Sequence, residues 1–360
     1  RAWDATPAEE RAAALERFGD LMEKHRAELM ALIAMEGGRT VEDGLSEVRE
    51  AVDFCRYYAQ RGREEFSNVG MRLPGPTGER NILTQYGRGV FVCISPWNFP
   101  LAIFVGQITA ALMAGNAVIA KPASPTPLIA MRAVELMIEA GIHPEAINLL
   151  PGGGRMGGVM VAHPDVAGVA FTGSTEVAWG INRTLAAKNG PIVPFIAETG
   201  GQNAMIADSS ALPEQIVDDV VVSAFRSAGQ RCSALRVLHI QEDTADKVIE
   251  MLKGAMAQQR IGDPLSLSAD IGPVIDAPSR TELEKHRAWL DKDAKFIAAA
   301  PLDGALYKQG SFFAPCAYEI GSIRELEKEI FGPVLHVVRY KARDLERVIE
   351  DINASGYGLT

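Results

Sequence analysis

Between residues 90 and 171 short apolar runs alternate with longer helical stretches, and this rhythm restricts the fold more than any other feature of the sequence. Val90-Phe91-Val92-Cys93-Ile94 ends at Ser95-Pro96, a helix over 101–114 follows, and Gly115-Asn116 turns the chain into Ala117-Val118-Ile119-Ala120. A helix over 126–140 leads to a strand at 147–150, and a helix over 155–163 leads to another at 166–171. Continuous apolar runs are the mark of strands buried on both faces, and strand–helix–strand units at this spacing build a parallel sheet covered by helices on both sides. Ligands on such sheets bind at the carboxyl ends of the strands. That places Trp97-Asn98, Lys121-Pro122 and Thr172-Gly173-Ser174 on one rim.

The flanks fill in the organisation. Thr6-Pro7-Ala8-Glu9 has the form of a helix capping box, Leu15, Phe18, Met22, Leu29 and Leu32 recur at helical spacing, and Gly37-Gly38 can end that segment. A second helix is expected over about 44–66, then a Pro- and Gly-containing excursion over 68–89. A strand at 194–197 ends at Glu198, and the turn 199–201 after it is the expected domain boundary. A second α/β region follows, with strands at 204–207 and 237–240 and helices over 212–225, 244–259 and 279–292. A start at Arg1 and an end at Gly356-Tyr357-Gly358-Leu359-Thr360 read as cuts through a longer polypeptide.

Bulk properties exclude several classes. At 360 residues there is room for two domains. A formal charge of −10 argues against nucleic acid, whose phosphates demand a basic surface. Cys55, Cys93, Cys232 and Cys316 are scattered, with no CxxC pair and no neighbouring histidine, so neither a disulfide framework nor a metal site is expected. A reducing, cytoplasmic setting fits. The apolar run 101–115 is interrupted by Gln107 and Thr109 and is too short for a membrane span, so no membrane insertion is expected.

Some residues carry chemistry by type and place. Cys232 lies in Gly229-Gln230-Arg231-Cys232-Ser233, where a glycine turn and a nearby cation suit an accessible, thiolate-prone cysteine; a small core residue is the alternative. Glu198, at a strand end beside an apolar run, suits a general base of raised pKa, or else is a solvated loop charge. Asn98, between prolines and aromatics, offers a side-chain N–H to a developing oxyanion, or simply forms a turn. Lys121 can reach ribose or phosphate oxygens, or snorkel at the rim. Gly173-Ser174 follows a strand and opens a helix, the setting for a dinucleotide phosphate, although the motif is not GxGxxG. Glu329-Ile330-Phe331-Gly332-Pro333 offers a ribose-binding carboxylate and an aromatic wall, or a strand-entry turn.

Taken in order, Pro-Trp-Asn-Phe-Pro (96–100), Lys-Pro-Ala (121–123), Phe-Thr-Gly-Ser-Thr (171–175), Glu-Thr-Gly-Gly (198–201), Gly-Gln-Arg-Cys (229–232) and Glu-Ile-Phe-Gly-Pro-Val (329–334) form a series. That series resembles the aldehyde dehydrogenase superfamily along essentially the whole chain. The resemblance implies an α/β fold with a Rossmann-like cofactor domain (1–67 and 88–198), part of an oligomerisation arm (68–87) and a catalytic domain (199–360). It implies Cys232 as nucleophile, Asn98 as oxyanion donor beside the Cys232 N–H, and Glu198 as the base for the deacylating water. Trp97, Lys121, Ser124, Gly173, Ser174, Glu329 and Phe331 would contact NAD: Lys121 its adenosine ribose, Gly173 and Ser174 its pyrophosphate, Glu329 and Phe331 its nicotinamide ribose. A homo-oligomer is implied.

The segments 47–58 and 229–236 look closest to the L-glutamate γ-semialdehyde dehydrogenases, specifically the C-terminal module of bifunctional proline utilisation proteins. That implies a role for Ser233 in binding the substrate carboxylate, and a proline dehydrogenase module in the parent chain. In that family, sequence beyond Tyr-Gly-Leu-Thr supplies the aldehyde-anchoring loop and a strand that pairs with the arm. Two positions depart from the common pattern. Ala178 stands where many members carry a second glycine, and Ser124 where NAD-preferring members often carry glutamate, which leaves NADP use open. Another aldehyde, such as succinate semialdehyde, or a catalytically silent dinucleotide binder are the competing readings.

Overall fold

The structure, a computed structural model, describes residues 2–66 and 70–360. Two compact units are present: Arg1–Gly37 with Gly44–Glu198, and Gly38–Asp43 with Thr199–Thr360.

Helices α1 (Ala2–Ala5), α2 (Ala8–Lys24), α3 (Arg26–Gly37) and α4 (Val41–Glu65) open the chain. The expected capping box at Thr6 does not form. The Thr6 hydroxyl donates to the Ala2 carbonyl instead, at 3.3 Å, and α2 starts after Pro7 without a side-chain cap. The short α1 turn claims that hydroxyl because Trp3 pins it, donating its indole N–H to the Leu112 carbonyl at 2.8 Å. The expected long first helix is also split at His25. Strands β1 (Met71–Leu73) and β2 (Asn81–Leu83) then pair antiparallel as a largely exposed hairpin. Of the excursion expected over 68–89, Asn68 and Val69 lie outside the described residues.

The chain next runs through β3 (Val90–Ile94), α5 (Ala102–Met113), β4 (Ala117–Lys121), α6 (Pro127–Glu139), β5 (Ile147–Leu149), α7 (Gly154–Ala162), β6 (Val166–Thr172), α8 (Thr175–Ala186) and β7 (Phe195–Glu198). All five strands are parallel, in the order β5-β4-β3-β6-β7. Successive residues on a strand face opposite sides. Val92, Ile94, Val169 and Phe171 accordingly pack with Met160, Ile181 and Leu185 of α7 and α8. Cys93, Val118, Ala120 and Ala170 join Phe18, Phe104, Leu112 and Met137 of α2, α5 and α6 in a separate cluster. Both faces are apolar, which explains the unbroken hydrophobic runs. Each fully buried large side chain contributes roughly 1.5–3 kcal/mol.

Two buried or half-buried carboxylates start the covering helices. Glu47 accepts from the Leu101 and Ala102 amides (2.6 and 3.2 Å) at the head of α5, and Glu36 from the Leu128 and Ile129 amides (2.9 and 2.8 Å) at the head of α6. They satisfy orphan N–H groups and suit the positive end of each helix dipole.

The second unit contains β8 (Ala204–Ala207), α9 (Pro213–Phe225), β9 (Val237–Gln241), α10 (Glu242–Ala257), α11 (Ala277–Asp293), β10 (Lys295–Ala299), α12 (Gly304–Gln309), β11 (Cys316–Glu319), β12 (Val334–Tyr340) and α13 (Leu345–Asn353). Its sheet has the order β10-β11-β12-β9-β8, with β10 alone antiparallel to its neighbour. Phe225, Leu238, Leu252, Met256, Leu290, Tyr318 and Leu335 build its core. Among the described residues no helix is long and apolar enough to cross a membrane.

Candidate active site

In the first unit the order of strands reverses around β3, so that successive helices leave β3 and β6 on opposite faces, and the carboxyl rim at such a switch point is where sheets of this kind bind ligands. The register puts Ile94 beside both Lys121 and Phe171, and Thr172 beside Glu198. Several bonds tie the rim together. The Ser95 amide donates to the Lys121 carbonyl at 3.1 Å and the Gly173 amide to the Glu198 carbonyl at 3.1 Å. Gln107 of α5 donates to the Ile94 carbonyl (3.3 Å) and to the Thr172 hydroxyl (3.0 Å). The structure thus brings Asn98, Lys121, Gly173 and Ser174 to one edge of one sheet, as the alternation of strands and helices predicts, and adds Glu198 of β7 to the same edge.

The individual side chains differ in environment. Asn98 is buried in the turn after β3 and Trp97 half-buried beside it. Lys121 is buried, its ammonium donates to the Pro122 carbonyl at 3.0 Å, and burial lowers its pKa. Ser174 is the N-cap of α8, accepting from the Val177 amide at 3.4 Å. At Gly173 an added Cβ would lie 2.6 Å from the Phe171 ring, so the close turn between β6 and α8 needs glycine. Ala178 packs into the core beneath α8. Ser124 is exposed, with its hydroxyl 3.5 Å from the Gly152 carbonyl. Glu198 is exposed at the end of β7.

The second unit carries the cysteine. Its approach is strained: Ser227, Ala228 and Gly229 have φ of 55°, 53° and 64°. Consecutive left-handed residues, two of them not glycine, persist only where the surroundings hold them, and such strain concentrates at functional sites. Gly229 is a true requirement, because a Cβ there would sit 2.3 Å from the Gly332 carbonyl oxygen. Cys55, Cys93 and Cys316 are buried and Cys232 alone is half-exposed. Burial pushes the Cys232 thiol up; the amides of Ser233 and Cys232 itself pull it down, Glu329 adds to the rise and Arg231 opposes it. Desolvation thus acts against the thiolate that the adjacent cation favours. Arg231 is itself desolvated, and Arg39 and Arg226 crowd it, so its pKa too is lowered.

Beneath this turn lies Arg236, a fully buried side chain. It donates to the carbonyls of Gly229 (2.7 Å), Gly332 (3.1 Å) and Arg231 (2.9 Å) and to the Glu329 carboxylate (3.0 Å), and its guanidinium lies 5.2 Å from the centroid of the Phe331 ring. Burial raises the Glu329 pKa, while Arg236 and the Gly201 amide oppose that rise. Cys232, Ser233, Glu329 and Phe331 are thereby brought together. Asn203 completes the frame, donating to the carbonyls of Cys232 (2.6 Å) and Ala234 (2.9 Å). Neither Arg236 nor Asn203 was foreseen as part of the site. An arginine entering an apolar strand, four residues after the cysteine, was the available signal for the first.

A family model described as "Aldehyde dehydrogenase family" matches residues 1–360. The bifunctional protein PutA of Klebsiella aerogenes is 50% identical over 366 residues, covering 99% of this chain and 27% of its own length. The chain therefore spans about a quarter of that relative. A crystal structure of a proline utilization A variant from Bradyrhizobium japonicum superposes with a TM-score of 0.96 at 57% identity, over 99% of this chain and 36% of that one. A 1-pyrroline-5-carboxylate dehydrogenase from Thermus with bound NAD superposes with a TM-score of 0.91 at 31% identity, over 98% of this chain and 68% of that one. With a half-exposed cysteine on a locked turn, a parallel sheet with its rim residues in register, and a match along its full length, the chain belongs to the aldehyde dehydrogenase family.

Proposed function

We propose that the protein oxidises L-glutamate γ-semialdehyde to L-glutamate, with NAD as hydride acceptor, as the second step of proline breakdown. The observation that carries the chemistry is Cys232: it is the one half-exposed cysteine of four, its turn is fixed from below by Arg236 and Asn203, and its own amide and that of Ser233 face the sulfur. The names of the relatives support the substrate. One is a bifunctional PutA protein and another a 1-pyrroline-5-carboxylate dehydrogenase. By the same argument a proline dehydrogenase module belongs in the parent chain.

The cofactor reading rests on the rim of the first unit. A buried ammonium at Lys121, the glycine-tight turn at Gly173 and the Ser174-capped head of α8 suit a dinucleotide's ribose and phosphates, with Ser124 in the loop after Lys121 and Trp97 in the loop after β3. Glu329 and Phe331 are assigned the nicotinamide ribose. The nicotinamide, when bound, supplies the hydride acceptor. Exposed Ser124 presents no carboxylate to repel a 2′-phosphate, so NADP is accepted as well as NAD. Initial rates with the two cofactors at equal concentration check this, and silence with NADP rejects it.

Family membership supports the following roles for the chain's own residues. Cys232 Sγ attacks the aldehyde carbon, and the oxyanion accepts hydrogen bonds from the Asn98 amide and the Cys232 N–H. After hydride loss the carbon is held as a thioester. Glu198, exposed and able to meet solvent, takes a proton from water; the water oxygen attacks, the C–S bond breaks and the acid leaves. Ser233 offers its hydroxyl to the substrate carboxylate. The exposed β1–β2 hairpin is part of an oligomerisation arm of a homo-oligomer.

The deciding assay follows NADH formation by full-length protein with glutamate semialdehyde, succinate semialdehyde and simple aliphatic aldehydes, beside Cys232→Ala. Preference for glutamate semialdehyde, abolished in the variant, supports the whole reading. Cysteine-dependent turnover of other aldehydes alone discards the substrate, and absence of turnover by intact dinucleotide-binding protein discards the activity.

A further inference from the structure

The geometry points to Arg236 as a positioning residue that locks the Cys232 turn to the Glu329–Pro333 loop, so that nucleophile and loop carboxylate are held as one unit. This inference rests on the assignment of Cys232 as nucleophile.

Four acceptors converge on one guanidinium. Nη1 bonds the carbonyls of Gly229 and Gly332, and Nη2 bonds the carbonyl of Arg231 and Oε1 of Glu329. Two of these carbonyls belong to the cysteine's turn, and the other two acceptors to the facing loop. The two segments are also in backbone contact, since even a Cβ at Gly229 would collide with Gly332. A planar fork with five N–H donors can bridge such a set; an ammonium cannot. The left-handed run Ser227-Ala228-Gly229 supplies the load that this bridge must hold.

The bridge also has an electrostatic role. Glu329 pushes the Cys232 thiol up, and Arg236 is the cation that faces Glu329 in an ion pair whose arginine side chain is 1% exposed and whose glutamate side chain is 15% exposed. Attraction between Arg236 and a Cys232 thiolate opposes that push, and so does the neutralisation of Glu329 by the same guanidinium. The other charges on Cys232 are its neighbour Arg231, with Arg39, Arg226 and Asp43 around that residue. Geometry and charge can therefore be separated by substitution. Arg236→Lys keeps the charge and loses the fork, Arg236→Met loses both, and Glu329→Gln removes the opposing charge while keeping an acceptor.

The test uses full-length protein. Iodoacetamide labelling of the Cys232 peptide is followed by mass spectrometry across pH, and kcat and KM for the aldehyde are measured beside it. Arg236→Met is expected to move the labelling midpoint to higher pH and to lower kcat by about 100-fold, the scale of a misplaced reacting group, with little change in KM. Arg236→Lys is expected to return the midpoint towards wild type while kcat stays about tenfold low. Glu329→Gln is expected to move the midpoint to lower pH. If Arg236→Met fails to fold, the other two variants decide. Wild-type kcat and labelling profile in Arg236→Lys, with an unmoved midpoint in Glu329→Gln, overturn the inference. Turnover that survives Cys232→Ala would instead defeat the nucleophile assignment beneath it.

Discussion

At the scale of single residues, Cys232 couples access to a cost. The sulfur is half-exposed, but burial raises its pKa above the ordinary thiol value, and only the thiolate attacks. Below that pKa the reactive fraction grows about tenfold per pH unit. The rate constant kcat/KM should therefore climb from neutral into alkaline pH before it levels. A profile already flat from about pH 6 would show a thiol that ionises well below its ordinary value. Asn203 holds the same turn from the other side through the Cys232 and Ala234 carbonyls. Asn203→Ala is expected to cost about 1–3 kcal/mol in denaturant unfolding. Asn203→Asp should cost more, because a carboxylate would then face two carbonyl acceptors; equal stability of both variants with wild type would remove Asn203 from the frame.

At the scale of elements, the hairpin β1–β2 exposes Met71, Leu73, Ile82 and Leu83 at 40–57%. Apolar side chains on a two-stranded hairpin that packs no core of its own suit burial against a second copy. Ile82→Asp with Leu83→Asp in full-length protein is expected to reduce the mass found by light scattering, and an unchanged mass would argue that the hairpin joins nothing. These elements also show what a sequence discloses. The strands β3, β4 and β6 were legible because both faces of the sheet are buried there, so each is a solid apolar run with a helix after it. Parallel direction then followed, and with it the shared rim of Asn98, Lys121, Gly173 and Ser174. The Thr6 cap was misread because its competitor, the α1 turn, is fixed by a bond from Trp3 to a residue 109 positions away. Arg236 escaped for the same reason: two of its four acceptors lie more than 90 residues downstream, and local pattern carries no trace of them. Glu198 was recognisable by motif, yet its exposure depends on what packs against a strand end.

At the scale of the whole molecule, the six histidines are unevenly placed. His25, His143 and His163 of the first unit are half-buried or exposed, whereas His239, His286 and His336 of the second are buried or half-buried. His336 sits on β12 with Nε2 2.8 Å from Nε2 of His286 on α11, and its Nδ1 is 3.0 Å from the Arg236 carbonyl. Such a pair holds one proton between its two Nε2 atoms and has no room for a second. The ring nitrogens of His239 find no hydrogen-bond partner among the described residues. Desolvation holds His239 and His286 down to about 4 and His336 to about 3, with the facing His286 adding to the last. In the unfolded chain the same imidazoles take up protons near pH 6.5. Between these limits the unfolded state binds more protons than the folded one, so stability is complete above about pH 6.5 and declines as the pH falls towards 4, by a total on the order of several kcal/mol. The first unit has no comparable set. Hydrogen exchange, corrected for intrinsic rates, should show amides of β9, β11 and β12 losing protection between about pH 6.5 and pH 4 before those of β3, β4 and β6 do. The double substitution His286→Phe with His336→Leu should flatten that dependence even where it lowers stability at neutral pH, because it removes the proton uptake and leaves the carboxylates of both units untouched. Parallel loss of protection in the two units, unaltered by the substitution, would place the acid sensitivity in the carboxylates and not in the buried imidazoles.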